Sequence, residues 1–107
     1  MDIEYVDFDD LALSETDAAA VREQIGRSAN RLHADGILRI HFAKQQHQSA
    51  KPNYSVHLFF EHEGHKHTTD KHHGWDLSRV LKDVFEALEV MIEKDRKLVG
   101  FNAKLNK

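Results

Sequence analysis

The stretch WDLSRVLKDVFEALEVMIEKDRK, residues 75 to 97, decides how this chain folds. Leu77, Val80, Leu81, Val84, Leu88, Met91 and Ile92 recur at spacings of three and four, so they share one stripe of a helix. Arg79, Lys82, Asp83, Glu86, Glu89 and Glu93 fall largely outside it. Asp76 stands where an N-cap belongs, able to accept from the free amides of the first turn, and Lys94, Arg96 and Lys97 complement the carbonyl end of the dipole. The spacing predicts a helix over 75–97. A stripe of that length needs a cover, and the remainder of the chain must supply it.

Immediately upstream, Glu63 and Gly64 mark a tight turn between Tyr54–His62 and the segment HKHTTDKHH, residues 65 to 73, predicted as the returning edge strand of a hairpin. Along 54–62, Tyr54, Val56, Leu58 and Phe60 alternate with Ser55, His57, Phe59 and Glu61, which gives one inward and one outward face. ILRIHFAK, residues 37 to 44, alternates in the same way and follows Asp35 and Gly36. The polar segment QQHQSAKPN before Tyr54 reads as a loop. Glu15 to His33 is predicted as a helix capped by Ser14 or Thr16, with Ala18, Val21, Ile25, Ala29 and Leu32 as its stripe. Asp2 to Phe8 is a short strand candidate at or near a sheet edge.

The expected order is β-α-β-β-β-α, an α+β two-layer sandwich with two helices on one face of a four-stranded mixed sheet. A strand, helix, strand unit implies a parallel first pair and hairpins make the rest antiparallel. Residues 1–97 are expected to form a single domain and 98–107 a C-terminal tail, with Leu98 and Phe101 touching the core.

Composition narrows the chemistry. The 107 residues contain no cysteine, which removes disulfides, thiolate metal sites and cysteine nucleophiles together. No apolar run matches a membrane span and the acidic N-terminus does not resemble a signal peptide, so a cytoplasmic location is expected. The net charge is −3 at pH 7, but residues 1 to 17 carry seven of the eighteen acids and no base; the remainder carries fifteen Lys and Arg against eleven acids. That mildly basic body is compatible with a basic surface patch.

No enzyme motif is present. No serine stands in a GxSxG elbow, and neither GxGxxG nor GxxxxGK[ST] occurs. HEGH at 62–65 is one residue short of HExxH and falls at a turn. No catalytic residue and no cofactor are therefore expected. Six of the nine histidines lie between His57 and His73. Among these His65 and His67 share a strand face and form a candidate metal pair, with His57 or an acid as the third ligand. The other candidate surface is basic: Arg22, Arg27 and Arg31 on the first helix, Arg39 on the sheet, Lys66 and Lys71 on the hairpin, and Arg79 and Lys82 on the last helix. Phe59, His57 and His41 stand beside it as base-stacking candidates.

Residues 2 to 97 resemble the ribosome hibernation promoting factor family, also called ribosome-associated inhibitor or sigma-54 modulation proteins, in a short and divergent form. The likeness rests on an MxIxY-like opening strand, the element order, and KHHGWDLSRVLKDVFEALEVMIEK at 71–94, which is similar to the family's Asp-led final helix. Ser78 stands where the family usually has an aromatic, and Lys82 where it has an acid. The resemblance implies a stress-response translation regulator that occupies the messenger and transfer RNA channel of the small ribosomal subunit by steric block and phosphate contacts. By position, Arg22, Arg27, Arg31, Arg79 and Lys82 would face ribosomal RNA. Neither DNA nor a membrane is an expected partner, and ribosome pairing through the C-terminal dimerisation domain of long members is not expected. A double-stranded RNA-binding domain is the topological rival, but the GPxH-like loop and KKxAK-like helix start are missing. The alternative function is a histidine-rich metal-binding or pH-responsive interaction module on the same fold.

Overall fold

A computed structural model of the chain describes residues 1–46 and 50–105, with side chains described through residue 96. Strand β1 (Asp2–Val6) leads through a short 3-10 turn at Phe8–Leu11 to helix α1 (Glu15–Asn30). Strands β2 (Ile37–Gln45), β3 (Asn53–His62), β4 (His65–Thr68) and β5 (His72–Gly74) follow, and helix α2 (Leu77–Leu105) closes the described chain. The architecture is the expected α+β sandwich. β1 pairs parallel with β2, β2 antiparallel with β3, and both β4 and β5 antiparallel with β3.

Alternation along the strands decides which face is covered. Leu38, Ile40 and Phe42 of β2 and Val56, Leu58 and Phe60 of β3 are buried on the helix side. The register pairs Leu38 with Phe60, Ile40 with Leu58 and Phe42 with Val56, so the six side chains form one sheet surface. Val21, Ile25 and Ala29 of α1 and Leu77, Val80, Leu81, Val84, Leu88 and Ile92 of α2 pack onto it. Each such large side chain contributes about 1.5–3 kcal/mol on full burial. The stripe is wider than the spacing suggested: Phe85 is buried at 1 % exposure and Met91 only partly.

Several boundaries differ from expectation. α1 ends at Asn30 instead of His33, which takes a positive φ of 50°, although Leu32 still reaches the core. Phe8 is not on β1; its ring sits in the 3-10 turn, 5.0 Å from Phe42. The backbone of residues 98–105 continues α2, so helix replaces the expected tail there. No proline follows Lys97, and an interior glycine such as Gly100 costs about 1 kcal/mol, too little to stop a helix already under way. The predicted contacts of Leu98 and Phe101 lie outside the described side chains, and positions 47–49 of the loop lie outside the described residues.

The returning strand is divided. Phe59 pairs with Thr68 but Val56 with His72, so two residues of β3 face three of the returning chain, the geometry of a β-bulge. Thr69 stitches the gap. Its amide donates to the Leu58 carbonyl at 3.0 Å, and its Oγ1 accepts from the Leu58 amide at 2.9 Å in a buried site. The bulge changes which side chains face in: His65 and His67 point to the helix side before it, and His72 after it, while His73 pairs with Ser55 on the open face. Gly36 is required for a different reason. A Cβ there would lie 2.1 Å from the Glu61 carbonyl oxygen, so only glycine lets the chain enter β2 against β3.

Candidate nucleic-acid interface

The two helices lie side by side on the sheet and leave a groove on their solvent side. Its floor is a reciprocal clamp: Gln24 Nε2 donates to the Ser78 carbonyl at 2.8 Å, and Ser78 Oγ donates to Gln24 Oε1 at 2.9 Å. Asp76 fixes the start of α2 by accepting from the Ser78 and Arg79 amides at 3.1 and 3.5 Å, as an N-cap should. The groove has a volume of about 730 Å³, and Arg27 and Arg31 of α1 and Arg79 and Lys82 of α2 line it.

These four cations converge from positions about fifty residues apart in sequence. Arg27 pairs with Glu23 at 3.0 Å and Arg79 with Asp83 at 3.5 Å, each one helical turn along its own helix. Both pairs are largely exposed and therefore weak and exchangeable for a phosphate. Arg31 donates to Ser28 Oγ at 3.3 Å. Among the described residues neither Arg31 nor Lys82 has an ion-pair partner within 4 Å. Beyond Lys82 the exposed side of α2 turns acidic with Glu86, Glu89 and Glu93, so the basic character belongs to its first turns.

The other four predicted cations stand elsewhere. Arg22 lies over the Phe8 and Tyr5 rings at 5.0 and 5.9 Å and lines a cleft with Asp7, Asp9 and Asp10, which places it in the acidic part of the surface. Burial raises the Tyr5 pKa and the Arg22 charge opposes that rise. Arg39 is on the open sheet face, bound to Glu4 at 2.8 Å and stacked over Phe59 at 5.6 Å. Lys66 pairs with Glu61 across the ladder on that same face. Lys71 is the last residue of the bulge, within electrostatic reach of His57. One continuous track through all eight residues does not form; the sheet separates the helix groove from Arg39 and Lys66.

The open sheet face carries aromatics as expected. His41 and His57, opposite one another in the register, stack at 4.5 Å with 8° between their planes. The His57 pKa is lowered by partial burial first, then by His41 and Lys71. No family model matches the chain, and no curated protein shows significant similarity to it.

The candidate metal trio is broken up. His57 is on the open face, whereas His65 and His67 are on the helix face, because positions an odd number apart across the hairpin register point to opposite sides. An acid reaches the pair instead: Asp95 Oδ2 of α2 lies 3.3 Å from His67 Nε2 and 3.9 Å from His65 Nδ1. Asp95 was not legible as their neighbour in the sequence. His62 joins the same edge, its Nδ1 donating to the Asp35 carbonyl at 2.6 Å. Among the described residues no group of three or more His, Asp or Glu is arranged to hold a metal ion. No helix among them is long and apolar enough to cross a membrane.

Proposed function

We propose that this chain is a non-enzymatic ribosome-associated translation inhibitor, a hibernation factor that binds ribosomal RNA of the small subunit. The observation that carries the proposal is the inter-helix groove, where Arg27, Arg31, Arg79 and Lys82 come from two helices to one concave surface. Phosphate oxygens are the natural ligands of clustered guanidinium and ammonium groups, and Arg can take two of them at once. The resemblance of residues 2–97 to the hibernation family gives the same positions the same partner.

Binding by this groove requires no chemistry on the RNA. The protein would act by filling space and by neutralising phosphates, so its effect scales with occupancy. The experiment is co-sedimentation of the protein with small ribosomal subunits from stationary-phase cells. Association is expected for the unmodified chain and loss of it for the double variant Arg27→Glu with Arg31→Glu, whose side chains are exposed and whose removal spares the core. Failure of the unmodified chain to sediment with the subunit overturns the proposal.

A further inference from the structure

Trp75, the only tryptophan of the chain, is 63 % exposed. It stands between the end of β5 and the capping residue Asp76, outside the apolar stripe that anchors α2. A second cleft, of about 420 Å³, opens beside it, with Leu13, Ala20, Tyr54 and Leu77 among its walls. This cleft and the basic groove share Gln24, Asp76 and Ser78, so the two lie side by side along the helix pair. One end is cationic. The other presents an indole and apolar walls, with Asp17 as the one charge it does not share with the groove.

That division of chemistry matches a nucleotide whose backbone and base are held apart. Phosphates are attracted to Arg27, Arg31, Arg79 and Lys82 and repelled from the carboxylate of Asp17 at the Trp75 end. A neutral base has no such penalty and gains from the flat, polarisable indole face. A paired base cannot use it, because its faces are already covered within a helix. We propose that Trp75 stacks on an unpaired base of an RNA whose phosphates occupy the Arg27–Arg31–Arg79–Lys82 groove. The inference rests on the RNA-binding function proposed above and adds the substrate class, a single-stranded or bulged segment.

The lone tryptophan makes the test direct, since all indole fluorescence comes from the proposed contact. The full chain is titrated with oligoadenylate and with an abasic ribose-phosphate strand of the same length. Oligoadenylate is expected to quench Trp75, and the abasic strand to bind about tenfold or more weakly without quenching. Trp75→Ala should bring the oligoadenylate affinity down to the abasic level, and Trp75→Phe should keep most of it, because a phenyl ring also stacks. Equal affinity of Trp75→Ala and the unmodified chain, with both losing binding on Arg27→Glu with Arg31→Glu, overturns the stack and leaves the groove. Absence of binding to either strand overturns the groove and the stack together. A fluorescence change that depends on protein concentration alone shows a second copy covering Trp75 and overturns the proposal in favour of self-association.

Discussion

Thr69 shows how much one side chain can decide. The bulge removes a backbone acceptor from the middle of a buried strand, and Thr69 Oγ1 replaces it for the Leu58 amide. Among the described side chains no buried polar atom lacks a partner. Thr69→Val keeps the shape and deletes the acceptor, leaving that amide buried and unpaired at a cost of about 1–3 kcal/mol. Urea denaturation should show this loss, and Thr69→Ser should recover most of it because the oxygen is retained. His57 is a second residue with a measurable signature. Its pKa is lower folded than unfolded, so the unfolded chain binds the proton more readily. Stability from this group is complete above its ordinary value of 6.5 and is lost as pH falls from there through the lowered folded value. Denaturation midpoints followed across that window should fall less steeply with acid for His57→Gln than for the unmodified chain.

At the scale of the element, α2 contains both the strongest anchor and the clearest control. Leu88 is fully buried against the sheet, whereas Val90, two positions on, is half exposed. Leu88→Ala should cost about 2–5 kcal/mol, the range for truncating a packed leucine, and Val90→Ala less than about 0.5 kcal/mol. Equal costs measured by urea denaturation would place the helix in a different rotation about its axis. This element was legible from its periodicity, and Asp76 from its position ahead of the first turn. Phe85 was not, because an apolar face broader than the three-and-four spacing accommodates one more buried column. The returning strand was legible only as a whole. Its division into β4 and β5 depends on a hydrogen bond to β3, which local sequence does not encode.

The whole molecule sorts its charge into regions. The acids of the 3-10 turn gather around Arg22, and the groove between the helices collects four cations. Net charge alone argues against a polyanion partner, but RNA responds to the local field within a Debye length of about 8–10 Å. Four neutralised phosphates would release their counterions, and the affinity for single-stranded RNA should then fall about fiftyfold on a fourfold rise in salt. The slope of log affinity against log salt checks this, and Lys82→Ala should make it shallower by about one counterion.

For α1, β2, β3 and the body of α2, element type and inward face were set by the sequence itself, since a period of two or of three to four residues is a local property and burial only has to satisfy it. Ser14, Leu38, Val56 and Leu88 occupy the roles their neighbours predict. Tertiary structure alone decided which distant charges meet. Arg27 and Arg31 join Arg79 and Lys82 only because both helices dock on the same sheet face. His57 leaves His65 and His67 because the hairpin register sends them to opposite faces, and Asp95 reaches that pair only once α2 lies across the sheet. Helix 75–97 thus announced its buried side in sequence, while its outward side acquired a groove only when α1 was laid beside it.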